Sequence, residues 1–365
     1  MKLECDIQKI KSSISLVERI TGKNLTLPVL STILLIASNK SLKLRAINLS
    51  LGIEVEIPAK IEKEGIVAIT GSVLADTFSN VFDNDSVVLE GVDGNLSIKT
   101  KKSKIKLKGQ AYDDFPTIPV VTGEVFEIDS KKLIEGIKSV QYSSSPSDIK
   151  PEISSVYMYS NEDNLVFVST DSFRLAEKKI KVKGLPEISG ILIPYKNIPE
   201  ILRVFGEINN TIKICFNKNQ ISFSLGNTYL TSRVIDGVFP DYRQIIPKEF
   251  KTEAVVLKQD LLNALKLTNI FSDKFNQLNL NIKVKDKIFE LSSSNNNIGE
   301  NKTFLDGALK GEDVELGFNY KYFLDCFQSI TTDSISIKLN ESSKPMVISL
   351  VSDSSFLYLI MPMNR

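Results

Sequence analysis

Histidine is absent from this chain of 365 residues, and so is tryptophan. The first absence removes the commonest general base and the commonest metal ligand together. Catalysis would be left to carboxylates or lysine, which weighs against an enzyme. Cysteine is scarce: Cys5, Cys215 and Cys326 lie far apart. They make neither a disulfide framework nor a zinc spacing, and they suit a reducing cytoplasm. No apolar run is long enough to span a bilayer, so no membrane is expected among the partners. The opening Met1-Lys2-Leu3-Glu4 carries an early acid and no apolar core, which argues against a secretory signal. No Gly-rich phosphate loop or metal-ligand cluster is present, and no cofactor is implied. Net charge is only +1, so any contact with nucleic acid requires positive charge gathered on one surface.

What the chain does contain is a repeat. Ile7, Ile10, Ile14, Val17 and Ile20 recur at intervals of three and four, the signature of one helix face. The pattern returns as Leu133, Ile137 and Val140, and again as Leu261 and Leu265 with Thr268 in the third place. A second helix in each third also registers: Leu74 and Phe78, then Ile198 and Leu202, then Phe323 and Phe327. An acid follows at matched places, Asp76, Glu200 and Asp325, and Phe115-Pro116 and Phe239-Pro240 mark the joins. Helices are expected over 7–20, 71–82, 131–142, 195–205, 259–271 and 319–330. Pro199 is tolerated in the first turn of its helix. Between them lie alternating stretches such as Ile53–Ile57, Leu165–Thr170 and Thr303–Leu309, about six strands per unit. The expected fold class is α+β. Three similar domains (1–120, 121–247 and 248–365) each lay two helices on one face of an antiparallel sheet.

The three opening helices carry a small surplus of lysine and arginine, while the second helices balance. The helical cations Arg19, Lys131, Lys138, Lys196, Arg203 and Lys266 are candidates for DNA contact; a solvated polar face is the alternative reading. At one end of the chain, Lys104-Ile105-Lys106-Leu107-Lys108 alternates lysine with apolar residues, as guarded edge strands do. At the other end, Ile270 falls on the polar side of its helix and Phe271 ends it. Ile105, Leu107, Ile270 and Phe271 are therefore candidates for a head-to-tail contact. Core residues under a loop would explain the last two equally well.

Three short motifs, Thr170-Asp171-Ser172-Phe173-Arg174-Leu175-Ala176, Phe239-Pro240-Asp241-Tyr242-Arg243 and Met361-Pro362-Met363-Asn364-Arg365, join Leu27-Pro28-Val29-Leu30 in order and spacing. Together, on a threefold repeat, they resemble the bacterial DNA polymerase III beta subunit family, the sliding clamps, from Met1 to Arg365. The resemblance implies a homodimeric ring of three-domain chains, with helices lining a hole through which double-stranded DNA passes without sequence readout. It implies no catalysis by the ring itself. The partners it implies are the replicative polymerase alpha subunit, a clamp loader, and other polymerases and repair proteins that carry clamp-binding peptides, all in the cytoplasm.

The resemblance also implies an apolar cleft for a short extended peptide with Gln, Leu and Phe anchors. Matched by motif, its lining is Ile153, Thr170, Ser172, Phe173, Arg174, Leu175, Pro240, Gln244, Ile245, Asn319, Tyr322, Leu359, Ile360, Met361, Pro362 and Met363. Methionine and aliphatic side chains can repack around varied peptides, and Arg174 is expected to meet a polar group at the rim. Lys23 and Asn24, before the Leu-Pro motif, stand where the family places a basic DNA contact. Three departures bear on peptide preference. Ser172-Phe173 replaces a common Gly-His, Gln244 replaces a common basic residue, and the chain ends Asn364-Arg365.

Two readings from other classes stay open at this point. One is an enzyme working through close carboxylates, namely Asp83 with Asp85, Glu54 with Glu56, or Asp113-Asp114. The other is an interaction scaffold on the same repeated fold without DNA.

Overall fold

The structure is a computed structural model, and it describes every residue except 23–26, 84, 207–208 and 364–365. The first third runs β1 (Lys2–Asp6), α1 (Ile7–Glu18), β2 (Thr32–Ser38), β3 (Ser41–Ile47), β4 (Leu51–Lys63), β5 (Gly65–Thr70), α2 (Gly71–Ser79), β6 (Ser86–Val92), β7 (Asn95–Lys99) and β8 (Lys104–Leu107). The second runs β9 (Glu124–Asp129), α3 (Ser130–Lys138), β10 (Ser155–Asn161), β11 (Asn164–Thr170), β12 (Arg174–Lys181), β13 (Ile191–Pro194), α4 (Ile198–Phe205), β14 (Thr211–Phe216), β15 (Gln220–Leu225) and β16 (Thr228–Arg233). The third runs β17 (Thr252–Leu257), α5 (Lys258–Ile270), β18 (Gln277–Lys283), β19 (Ile288–Asn295), β20 (Gly299–Phe304), β21 (Gly307–Gly311), β22 (Val314–Asn319), α6 (Tyr320–Cys326), β23 (Ser334–Leu339), β24 (Met346–Leu350) and β25 (Asp353–Ile360). One order, strand–helix–three strands–strand–helix–three strands, thus recurs three times, with one strand divided in the last copy.

The helix faces named by periodicity are the buried ones. Ile7, Ile10, Ile14, Val17 and Ile20 have almost no exposure, and neither do Leu133, Ile137, Val140, Leu261, Leu265 and Thr268. The polar Thr268 fits because its hydroxyl donates to the Ala264 carbonyl at 2.8 Å. The opening strands β1, β9 and β17 were not foreseen, nor were β5, β13 and β22. A strand that runs straight into a helix leaves no turn in the sequence to mark it. Asp6 ends β1 and also caps α1, accepting from the Gln8 and Lys9 amides at 2.9 Å each. Asn319 does the same between β22 and α6. The helices also end earlier than their apolar patterns: α3 stops at Lys138, with a 3-10 turn over Gln141–Ser143.

The chain packs as two compact units that cut across the repeat. One contains Met1–Lys131 and Pro199–Val234; the other contains Lys132–Ile198 and Ile235–Arg365. Strand pairing explains the cut. In the first unit, β4 of the first copy pairs with β16, the last strand of the second. The result is a twelve-stranded sheet along β8-β7-β6-β1-β4-β16-β15-β14-β9, with β2, β3 and β5 branching from it. In the second unit, β12 pairs with β25, the last strand of the third copy, within a nine-stranded sheet β13-β10-β11-β12-β25-β24-β23-β17-β21. A four-stranded sheet, β20-β19-β18-β22, completes that unit.

The long β4 pairs with β3 through its first half and with β1 through its second. In the third copy these tasks are divided: β20 pairs with β19 and β21 with β17. The single strand expected at Thr303–Leu309 is therefore two, because the partner changes at Leu305-Asp306. Among the described residues, no helix is long and apolar enough to cross a membrane.

Candidate functional site

In the second unit, the Thr170–Leu175 stretch is a tight turn leading into β12. The Asp171 carboxylate accepts from the Phe173 and Arg174 amides, each at 3.0 Å, and from Arg174 Nε at 2.9 Å. The Thr170 hydroxyl donates to the Arg174 carbonyl at 2.7 Å and accepts from the Ser172 amide at 3.1 Å. Ser172 is driven to φ +78°, a conformation in which a Cβ costs about 1–2 kcal/mol. Glycine would hold this turn without that cost. The turn holds Phe173 out, 61% exposed.

Arg174 is committed rather than free at a rim. Its guanidinium lies 4.5 Å from the centre of the Tyr322 ring and is ion-paired to both Asp171 and Asp325. The expected polar rim contact is thus already occupied by the protein's own carboxylates. Asp325 is one of the acids that the repeat matched, although its partner could not be read from spacing.

The floor comes from strand register. Arg174 stands opposite Ile360 and Leu175 opposite Leu359, and Leu359 also faces Val347 on β24. Leu175, Leu359 and Val347 form one buried cluster with Tyr242 and the half-buried Ile246. The chain beyond β25 is tied on both sides. The Met361 amide donates to the Phe173 carbonyl and the Met363 amide to the Gly317 carbonyl, both at 2.8 Å. Met361, Pro362 and Met363 are half-buried, Pro240 is exposed, and Ile245 is 49% exposed. Gln244 donates to Asp241 at 2.7 Å. Ile153 is buried, its carbonyl accepting from the Ser145 amide at 3.0 Å, and Asn319 caps α6, the helix that carries Tyr322. Tyr322 is fixed in turn because its carbonyl accepts from the Tyr358 hydroxyl at 2.8 Å. The result is an apolar floor with a half-open apolar rim, which suits a short chain laid along it.

A buried polar network beneath this floor was missed by sequence reasoning. The Tyr159 and Tyr242 hydroxyls are 2.8 Å apart, Tyr242 donates to Glu177, and Arg243 donates to Tyr159 at 2.8 Å. Burial and then the Glu177 carboxylate push the Tyr242 hydroxyl far above the ordinary phenol range. Tyr242 therefore stays a neutral donor, which a buried carboxylate requires. The Phe-Pro-Asp-Tyr-Arg motif was a signal for this, read as a join and as a family motif but not as a polar network.

The candidate cations separate into two groups. Arg19, Lys131, Lys138 and Lys266 are exposed. Lys196 is paired with Asp148. Arg203 is a correction to the picture of a free cation. It is ion-paired to Glu200 at 2.6 Å and donates to the Ser15 and Leu16 carbonyls at 3.2 and 2.6 Å, satisfying the end of α1. Lys23 and Asn24 lie outside the described residues, as do Asn364 and Arg365. Of the edge candidates, Ile105 is half-buried and Leu107 buried on β8, Ile270 is 58% exposed and Phe271 half-buried.

Two of the close carboxylates, Glu54 and Asp83, are shifted away from general-acid behaviour. Burial would raise Glu54, but hydrogen bonds from Lys43 and Arg45 outweigh it and hold its pKa below the usual range. Asp83 is likewise lowered, chiefly by a hydrogen bond from Thr100. A general acid at neutral pH needs the opposite shift.

Comparison with known proteins agrees with this geometry. Residues 1–119, 127–241 and 243–364 match the N-terminal, central and C-terminal domain models of the DNA polymerase III beta subunit, in that order. A curated relative named beta sliding clamp, from Synechococcus elongatus, is 28% identical over 100% of this chain and 99% of its own length. The crystal structure of a DNA polymerase sliding clamp from Bacillus subtilis superposes with a TM-score of 0.96 at 23% identity, covering 100% of this chain and 99% of that one. A sliding clamp from Bartonella birtlesii, crystallised bound to griselimycin, gives 0.92 at 26% identity over 100% of both chains. With the threefold element order, the paired junction strands and all three domain models in sequence, the chain belongs to the DNA polymerase III beta subunit family.

Proposed function

We propose that this chain is a DNA sliding clamp: two copies close head to tail into a ring around duplex DNA and tether the replication machinery to it. The domains are 1–120, 121–247 and 248–365. The observation that carries the reading is a rule of strand pairing. The third long strand of one copy takes the last strand of the next, β4 with β16 and β12 with β25. Of the edge strands among the described residues, two lack the partner this rule would give them: β8 at one end of the twelve-stranded sheet and β20 at one end of the four-stranded sheet. They are the last strand of the first copy and the third long strand of the last, the pair that the rule lacks. Within one chain the rule has no partner for them; between two chains it closes a symmetric ring.

The register follows as well. Leu230 faces Ile53, and Tyr358 faces Ala176. The same place in the ladder puts Ile105 of one copy opposite Asn301 of the other. Ile298 and Phe304 at the two ends of β20, and Ile270 on α5, the helix packed against it, are all more than half exposed. This supports burial there on assembly.

Arg19, Lys131, Lys138 and Lys266, with Lys23 and Asn24, supply weak phosphate contacts that exchange as the ring slides. Linkage, not affinity, keeps the ring on DNA. The clamp itself performs no catalysis and works in the cytoplasm. A loader opens it using ATP that the loader binds, and the cleft over Leu175 and Leu359 takes anchor peptides of the replicative polymerase alpha subunit and of repair proteins.

The test has two arms. The first joins the edges. In a Cys215→Ser background, Ile105→Cys with Asn301→Cys should oxidise to a covalently closed dimer, since facing Cα atoms in antiparallel sheets lie about 4.5–5.5 Å apart. Aspartate at both Ile270 and Phe271 should give monomers in sedimentation. An unchanged dimer in the second case refutes the interface. The second arm uses a nicked circular duplex: the dimer, first loaded by a clamp loader with ATP and then oxidised, should stay bound in high salt and slide off once the circle is cut. Loss from the circle at the same rate as from linear DNA refutes encirclement.

A further inference from the structure

The first unit contains a hollow of about 260 Å³ lined by Leu30, Leu49, Pro116, Thr231 and Arg233 among others. Nothing in the function proposed above uses it. Its construction repeats three backbone bonds of the cleft. In the cleft, one Asp171 oxygen receives the Phe173 and Arg174 amides. In the hollow, Asn48 Oδ1 receives the Ser50 and Leu51 amides, each at 2.8 Å. In the cleft, Leu175 faces Leu359, and the Met361 amide then reaches the Phe173 carbonyl. In the hollow, Gly52 faces Thr231, and the Arg233 amide then reaches the Ser50 carbonyl, also at 2.8 Å. Leu30 stands where Ile153 stands, Pro116 where Pro240 stands, and Ile118 where Tyr242 stands.

The differences say what the hollow would take. Opposed Gly52 and Thr231 are smaller than two leucines, and Ile118 fills the space a Cβ on Gly52 would occupy, at 3.2 Å. The floor therefore offers one apolar side chain, Ile118, where the cleft offers a row. Leu49 is 64% exposed at the lip, as Phe173 is in the cleft. Leu51 stands in the place of Arg174; the cation of the hollow is Arg233, in the place of Met361, and Arg233 is exposed and has no ion pair among the described residues.

We propose that this hollow is a second peptide site on each chain, taking an extended segment with one bulky apolar side chain flanked by an acidic group. The proposal rests on reading the cleft as a peptide site. The apolar side chain enters between Leu30 and Pro116, and the acid meets Arg233. Its occupancy would let one chain hold two peptides at once, the second more loosely.

The test uses the full-length dimer and a fluorescein-labelled synthetic pentapeptide carrying Gln, Leu, Asp and Phe. Equilibrium titration should resolve two sites per chain. Removing Met361–Arg365, or Ile245→Asp, should abolish the tighter class and leave the weaker. Leu49→Asp and Arg233→Glu should each weaken the looser class by about tenfold, the effect of losing one buried aliphatic contact or one ion pair at a desolvated site. The tighter class should stay unchanged in both. Replacing Asp by Lys in the pentapeptide should mimic Arg233→Glu. One site per chain, removed entirely by the C-terminal truncation, overturns the second site and leaves the cleft reading intact. A tight class that survives the truncation overturns the cleft reading instead. Assembly beyond the dimer that Leu49→Asp abolishes, with no second peptide bound, would assign the hollow to a further copy of this chain and also overturn the proposal.

Discussion

The two junctions where one repeat hands its strand to the next are built on one plan and finished differently. In the second unit the meeting strands oppose Leu175 to Leu359, and a buried tyrosine–carboxylate network lies beneath. In the first unit the opposed pair is Gly52 and Thr231, with Ile118 in the tyrosine's place. The helix ends differ too. The end of α1 is held by a charged Arg203, whereas past α3 the Ser139 carbonyl accepts from the Ser329 hydroxyl at 2.9 Å. The comparison separates scaffold from function. Backbone bonds that hold the junction are kept, while the side chains that line it have diverged.

The comparison can be broken most easily at the floors. Leu359→Ala should cost about 2–5 kcal/mol, as buried leucine truncations do, and speed hydrogen exchange in β24 and β25. Thr231→Ala, at the matching place, should cost no more than about 1 kcal/mol. Equal losses in a urea titration would mean the two floors carry equal weight. Next comes the network. Tyr242→Phe leaves Glu177 without its phenol donor and should lower stability by about 1–3 kcal/mol. Ile118→Val should lower it by about 0.5–1.5 kcal/mol. At the helix ends, Arg203→Ala strands Glu200 and two carbonyls and should cost about 1–3 kcal/mol, against about 1 kcal/mol for Ser329→Ala. Similar values would show that the charge adds nothing. The smallest effect should be a gain: Ser172→Gly relieves the positive φ and should raise the urea midpoint by less than about 1 kcal/mol in equivalent stability.

Much of this architecture was legible because repetition reinforces weak local signals. The faces of α1, α3 and α5 could be read from their apolar spacing, and their burial is nearly complete. Strands that flow into helices were invisible because a capping side chain such as Asp6 replaces the turn. The motifs singled out the stretches that meet at the β12–β25 seam, but not the state of their charges. Arg174 was visible as a cation, yet Asp325 lies 151 residues away, and only folding pairs the two. For the same reason Arg203 read as free, although local spacing to Glu200 offered a hint. The hollow in the first unit was hidden by its small residues, since glycine and threonine in a strand announce nothing.

The seam between β4 and β16 has a practical consequence for dissecting the molecule. A fragment stopped near Phe115 would carry β4 with a bare flank where β16 belongs, and a fragment begun near Val121 would carry β16 in the same condition. Such flanks recruit any available strand, so both pieces should clump. Excision is better planned along hydrogen-bonded partnerships than along the periodicity of the sequence.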